Sequence, residues 1–300
     1  MTLPALDALP AVDTQRGGDP ALLFDELKAV IADAITAHPR SQQKRIGPSE
    51  IGETCARKLA YKTTGTTEAR TLPPGWRPTV GTAVHAWLEE AFITASGQPA
   101  RWLVETRVDA GPMAGTALTG STDLYDRVTA TSIDWKVIGP SAHKTLRADL
   151  NAGRGPKRIY QVQLHTYGLG FTRRGLPVDR VMLVALPAAG ELDDALWWSA
   201  PYNPQIALDA MARVDRIHGL ATALGLAPAL AATNGALHAA GAGHLADPDT
   251  GPDSPAIGTD PYSCRFCPWL LGGSTDLSVG CPGAAPAGIP RQSSLHSLVG

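Results

Sequence analysis

Two short stretches decide how this chain is read: Leu118-Thr119-Gly120-Ser121-Thr122-Asp123-Leu124 and Ile133-Asp134-Trp135-Lys136-Val137. Each aspartate interrupts an apolar strand pattern, Asp123 between Leu118 and Leu124 and Asp134 between Ile133 and Val137. A carboxylate inside a strand core is costly unless a cation neutralises it. Consecutive strands joined as a hairpin bring Asp123 and Asp134 together. Lys136 stands two residues beyond Asp134 and so shares its face of the sheet. Two carboxylates and one lysine suit a hard divalent cation bound through oxygen. The lysine would then orient or deprotonate a water, or neutralise charge developing on a phosphate. The plainer reading is a buried Asp–Lys ion pair on an ordinary hairpin, since D-x-K alone is a common pattern.

Outward from these strands the periodicity yields a coarse order of elements. Trp102 to Val108, Ala117 to Val128 and Ser132 to Ile138 read as short strands separated by Gly-rich and Thr-rich turns. A basic loop follows, then a helix over about 156–174, strands at 180–186 and 195–200, and a helix capped by Asn203-Pro204. Met211, Val214, Ile217, Leu220 and Leu224 line one face of that last helix. Upstream, Asp19-Pro20 starts a helix with Leu23, Leu27, Val30, Ile31 and Ile35 at helical spacing, which His38-Pro39 stops. Two further helices are expected at about 48–61 and 79–95. The result is an α/β chain with one central mixed sheet flanked by helices. Residues 1–18 read as a flexible lead, 19–282 as a single domain, 227–260 as irregular and 283–300 as a loose tail.

Composition narrows the function classes. The 300 residues hold 26 Lys and Arg against 28 Asp and Glu, a net charge of −2, which excludes a globally basic nucleic-acid coat. Affinity for nucleic acid must then come from local patches. Hydrophobic residues make up 44%, enough for a sizeable core, while 31 glycines and 25 prolines fall short of low complexity. Neither a signal peptide nor a membrane-length apolar run is evident, so a soluble, cytoplasmic protein is expected.

Four cysteines are too few for a disulfide scaffold in a chain of this length. Cys55 stands alone, and Cys264, Cys267 and Cys281 cluster near the other end, a pattern that favours metal over disulfide. His85 falls on the helix before the strands, where a lone histidine is more often structural than a ligand. Gln163 and Tyr167 are four apart on the helix after the Asp134 strand and project from one face.

The ordered series His85, Gly120-x-x-Asp123, Asp134-x-Lys136 and Gln163-x3-Tyr167 resembles the RecB-like branch of the PD-(D/E)xK nuclease superfamily. The bracket of Cys55-x-Arg57 before these motifs and Cys264-x2-Cys267-x13-Cys281 after them is similar to the iron–sulfur exonucleases. Those include the CRISPR-associated family four enzymes and the AddB nuclease domain. The resemblance covers roughly residues 48–282 and implies a restriction-endonuclease-like core. In it a [4Fe–4S] cluster held by Cys55, Cys264, Cys267 and Cys281 would clasp the N- and C-terminal segments together. It further implies that His85, Asp123, Asp134 and the carbonyl of Trp135 hold a catalytic Mg²⁺ or Mn²⁺. Lys136 would position the attacking water, and Gln163 and Tyr167 would hold the DNA backbone or support Lys136. One departure is Asp134, where such relatives usually carry glutamate. Four cysteines also suit a structural zinc, although the span from Cys55 to Cys264 exceeds ordinary finger spacing.

DNA needs cations near the site, and the 143–158 stretch carries Lys144, Arg147, Arg154, Lys157 and Arg158 against the single acid Asp149. Arg57, Lys58 and Lys62 would extend this track, and the pair Trp197-Trp198 offers one ring for stacking. The expected function is a metal-dependent DNA exonuclease acting on single strands or DNA ends, in recombination, repair or CRISPR-adaptation-like processing. Its expected source is a phage or a GC-rich bacterium. A catalytically weak module that binds DNA ends or a partner is the alternative. No G-x-x-x-x-G-K-[ST] loop is present, so unwinding would fall to a helicase or recombination partner. A zinc base deaminase is excluded, because it needs H-x-E and P-C-x-x-C, whereas Ala86-Trp87 follow His85 and Ser263 precedes Cys264.

Overall fold

The structure, a computed structural model, describes residues 19–39, 43, 45–95, 97, 100–225 and 264–283. The expected lead and the irregular 227–260 stretch lie outside the described residues, as do residues 284–300 of the expected tail. The chain packs as two units, residues 1–43 with 74–76, and residues 44–73 with 77–300. In the first, helix α1 (Pro20–Ala37) starts where the Asp19 side chain accepts the Ala21 N–H at 2.9 Å and Pro20 takes the first turn. None of its residues is buried, and Leu22, Leu23, Phe24, Leu27, Val30 and Ile31 are all exposed.

The second unit is built on a five-stranded sheet in the order β1 (Trp102–Met113), β2 (Thr116–Asp126), β3 (Thr131–Ile138), β4 (Arg180–Pro187), β5 (Leu196–Pro201). All neighbouring pairs are antiparallel except β3 with β4, so the sheet is mixed. Ala114 and Gly115 connect β1 to β2 with φ of 48° and 74°. Two left-handed residues in succession twist the turn to match the strands it joins. β1 runs five residues past the expected end at Val108. A bulge between Asp109 and Pro112 lets proline sit on this edge strand.

A parallel pair demands a long crossover, and here it holds two helices, α4 (Pro140–Asn151) and α5 (Arg158–Arg173). Most of the stretch expected as a basic loop is therefore helix α4. Pro140 occupies its first turn, the His143 N–H reaches the Gly139 carbonyl, and Leu146 and Leu150, one turn apart, pack with Val181, Leu183 and Trp198. The polar residues around them, Lys144, Arg147 and Asp149 included, mask that Leu146–Leu150 spacing in the sequence. α5 lies against the sheet, burying Val162, Leu164, Tyr167 and Phe171. α6 (Pro204–Leu224) packs on α5 through Ala210, Met211, Val214 and Ile217.

Two other helices differ at their ends from the expectation. α2 (Ala56–Thr63) begins eight residues late, because residues 48–52 form turns and Cys55 caps the helix. α3 (Trp76–Ala95) begins slightly early. Its Phe92 meets Trp102 at 5.6 Å and Trp135 at 5.4 Å between ring centroids, which fixes the helix beside the sheet.

Candidate active site

β2 and β3 pair only at Leu124↔Ile133, Tyr125↔Ser132 and Asp126↔Thr131. The next step of that register would place Asp123 opposite Asp134, and there the ladder opens. Instead of a backbone carbonyl, Asp123 Oδ2 accepts the Trp135 N–H at 2.7 Å. The carboxylate thus satisfies the orphaned strand amide, and the two strands splay around a polar gap. From α3, His85 Nδ1 reaches Asp123 Oδ1 at 3.1 Å. This hydrogen bond is the main reason the His85 imidazole titrates above its usual range, with burial opposing it.

Asp134 is 1% exposed. Its Oδ1 accepts from Gln163 Nε2 on α5 at 2.8 Å, and Gln163 also donates to the Tyr167 hydroxyl at 3.4 Å. Lys136 Nζ sits 2.6 Å from Asp134 Oδ2 and 5.5 Å from the Tyr160 ring centroid. Oδ2 is buried, and the Lys136 ammonium is what offsets its charge. Burial pushes the Asp134 carboxyl well above the usual carboxylate range. Asp123 adds to the rise, and Lys136 works against it.

One acid was not anticipated. Glu105, half-buried on β1, has φ 41°, and the pairs Val104↔Leu124 and Thr106↔Thr122 set it opposite Asp123. Glu105, Asp123 and Asp134 therefore form one row across three adjacent strands. The left-handed backbone at Glu105 breaks the strand alternation, so Leu103 and Val108, of opposite parity, both pack with Tyr125, Tyr167 and Phe171. Ligand atoms of His85, Glu105 and Asp123 lie within 4.8 Å of one another, a spacing that could hold a metal ion. The residues fit a divalent cation on two counts: Glu105, Asp123 and Asp134 share one row with His85 against Asp123, and the buried Asp134 Oδ2 makes no hydrogen bond beside its ion pair with Lys136. The sequence signal for Glu105 was weak, an acid that follows Trp102-Leu103-Val104 and precedes the polar Thr106 and Arg107 in the same strand.

The segment before Cys55 is wedged against this site. A Cβ on Gly120, three residues before Asp123, would lie 2.9 Å from the Pro48 ring and 3.3 Å from Tyr167. A Cβ on Gly52 would lie 2.8 Å from Ile159 Cα and 3.0 Å from Val162 Cβ on α5. Glycine at both positions is what allows residues 48–52 to touch β2 and α5 at once.

The same segment leads into the cysteines. Cys267, Trp269 and Cys281 join Ile51, Leu59 and Tyr61 in one buried cluster, where Trp269 stacks on Tyr61 at 5.7 Å. The Tyr61 hydroxyl donates to Leu277 O at 2.6 Å, Trp269 Nε1 to Thr66 O at 3.0 Å, and Arg70 to Cys264 O and Cys267 O. Residues 264–283 are thereby fastened to residues 51–70. Cys55 lies within electrostatic reach of Cys267 and Cys281, and Cys267 of Cys264 and Cys281. Burial pushes the Cys55 thiol up to about 11 and raises Cys267 also. Arg213 of α6, itself buried, donates to Glu53 O at 2.6 Å and Thr54 O at 2.8 Å, holding the approach to Cys55.

The expected DNA track is only partly available. Lys144 and Arg147 are exposed on α4, Lys157 is exposed at the N-cap of α5, and Arg158 is half-buried in its first turn. Arg154 is paired with Asp149 at 2.8 Å, Lys58 with Glu53 at 2.6 Å, and Lys62 with Glu50. Arg57 turns to Cys281 Sγ at 3.6 Å instead. Trp197 is 65% exposed, whereas Trp198 packs with Leu146 and Leu164.

Comparison with solved structures finds similarity at low identity. The alkaline exonuclease LHK-Exo of Laribacter hongkongensis shares 14% identity at a TM-score of 0.43, over 62% of this chain and 91% of that one. Its complex with dAMP matches at 16% identity and a TM-score of 0.41, over 67% and 95%. A phage-related exonuclease from Haemophilus somnus 129PT matches at 12% and 0.38, over 60% and 96%. No family model and no curated protein matches the sequence. Among the described residues, no helix is long and apolar enough to cross a membrane.

Proposed function

We propose that this protein is a divalent-metal-dependent DNA exonuclease that hydrolyses phosphodiester bonds at single-stranded or frayed ends. The observation that carries the reading is the convergence of Glu105, Asp123, Asp134, His85 and Lys136 on the gap where β2 and β3 part. His85, Glu105, Asp123 and Asp134 would hold Mg²⁺ or Mn²⁺, with the Trp135 carbonyl as a further ligand. A bound divalent cation supplies charge stabilisation to the phosphate and acidifies a water. Lys136, anchored between Asp134 and the Tyr160 ring, holds that water in line and carries positive charge toward the phosphate oxygens. Gln163 fixes Asp134 through Oδ1, and Tyr167 fixes Gln163, so α5 sets the angle of the second carboxylate. Lys144, Arg147, Lys157 and Arg158 would meet the DNA backbone beside β3.

The four cysteines fit a [4Fe–4S] cluster by the chemistry of the donor set: soft thiolates from both ends of the fold, with two of the four buried. In this reading Cys55, Cys264, Cys267 and Cys281 fasten the 48–55 wedge that braces β2 and α5. The test of the nuclease reading compares wild type with Lys136→Ala on end-labelled single-stranded DNA in Mg²⁺ or Mn²⁺. Wild type should cleave, stop in EDTA, and lose on the order of 10²–10³ in rate on losing Lys136, with DNA binding retained. Equal cleavage by both proteins, or by neither, overturns it.

A further inference from the structure

Among the described residues, six cations lie around the cysteines, and of these Arg57 is the one directed at sulfur. Lys58 and Lys62 pair with Glu53 and Glu50, Arg70 and Arg213 donate to backbone carbonyls, and Arg265 lies against the Phe266 ring. Arg57 Nη1 donates to Cys281 Sγ at 3.6 Å, and its Nε is buried with no hydrogen-bond partner. Cys281 Sγ also accepts the Gly283 N–H at 3.4 Å. A buried guanidinium nitrogen without an acceptor is costly, and an anionic group held among these cysteines would supply that acceptor. Arg57 follows Cys55 by two residues on α2, so one short segment delivers both a ligand and a counter-charge.

We propose that Arg57 is the charge-balancing partner of the group held by the four cysteines, acting through Cys281 Sγ and not through DNA. The inference rests on the cluster reading above. A cluster gains negative charge when it is reduced, so an adjacent fixed cation and an N–H···S bond favour the reduced form.

The experiment is a reductive titration of anaerobically purified full-length protein, followed by EPR and visible absorbance, with iron and zinc counted in parallel. Dithionite, oxidised to two sulfites, gives up two electrons and takes two clusters from the 2+ to the 1+ core. Arg57→Gln should keep about four irons but show a reduced-to-oxidised cluster ratio at least tenfold lower at the wild-type midpoint. For a one-electron couple that is a fall of about 59 mV or more. The salt dependence of its DNA binding should match wild type, since no phosphate contact is lost. Arg57→Lys keeps the charge without the fork and stands in if the glutamine variant does not fold. Its midpoint should lie between the other two. A wild-type midpoint in whichever variant holds its iron overturns the inference, as does a salt slope shallower by about one. Wild-type protein carrying zinc and no iron, or no metal, overturns the cluster reading and this inference with it. Cleavage by that same protein would show that the nuclease reading stands apart from both.

Discussion

Gly52→Ala tests whether the wedge before Cys55 sets the catalytic geometry. The added methyl would sit 2.8 Å from Ile159 Cα, 3.0 Å from Val162 Cβ and 3.2 Å from Ile159 O. Carbon atoms rest at about 3.5–4.0 Å, so the wedge or α5 must give by roughly 0.7–1.2 Å. The nearest obstacle is backbone, which no rotamer change relieves. Overpacking of this kind costs about 1–3 kcal/mol, and at about 2–4 °C per kcal/mol it lowers Tm by several degrees. Val162 adjoins Gln163, whose bond to Asp134 is 2.8 Å long. A shift of that size takes the bond outside hydrogen-bond range and turns Asp134 relative to Lys136. Misplacement by about 1 Å costs on the order of 10²-fold in rate. We therefore expect kcat to fall tenfold to a hundredfold, with near-normal DNA affinity, although residue 52 touches none of the acids. Urea denaturation and single-turnover cleavage of end-labelled DNA measure the two effects. Wild-type stability together with wild-type kcat would refute the reasoning, because the wedge would then brace nothing.

Glu105 should show opposite effects on metal binding and on apo stability. Glu105→Gln should weaken Mn²⁺ binding by on the order of tenfold in calorimetric titration, since the charge of the ligand set tunes affinity. Glu105→Gly should weaken it as well, yet stabilise the metal-free protein by about 1 kcal/mol by relieving φ 41°. Unchanged Mn²⁺ affinity in both variants would remove Glu105 from the site. The second test concerns acid stability. Arg101, with help from Thr129 and the Val128 N–H, lowers the Asp126 carboxyl to about 2. The unfolded value is about 3.9, so the stabilisation is complete above that pH and is lost as pH falls from about 4 to about 2. The stability gap between wild type and Arg101→Ala, read by urea melts, should be constant above pH 5 and close through that window. A gap that persists at pH 2 would assign it to packing.

Asp123, Asp134, Lys136, Gln163 and Tyr167 were legible because polar groups in apolar strands or on one helix face stand out against a simple period. Their contacts follow from strand alternation and helical pitch, both local rules. Glu105 was not legible, although it lies in the same row. Its place depends on a hairpin register fixed by Ala114-Gly115 and on a left-handed backbone that glutamate seldom adopts. The mixed sheet was readable from element order, whereas α4 was hidden because polar residues such as Lys144, Arg147 and Asp149 outnumber the buried Leu146 and half-buried Leu150. Charge alone also does not reveal how the cations expected to line the DNA track are paired. Arg154, Lys58 and Lys62 have carboxylate partners and Arg57 faces a sulfur, pairings that only the folded chain reveals.

The fastening of residues 264–283 onto 51–70 has a consequence for biosynthesis. Ile51, Leu59 and Tyr61 are almost wholly covered in the finished fold, in part by Trp269, Cys267 and Cys281. At about 5–20 residues per second, roughly two hundred residues separate the emergence of these partners from the ribosome by some ten to forty seconds. For that interval the nascent chain presents a bare aromatic and aliphatic patch while the sheet is already assembling. A ribosome stalled before Cys264 would hold a chain with its acids in place and its wedge unfastened, a natural client for a chaperone.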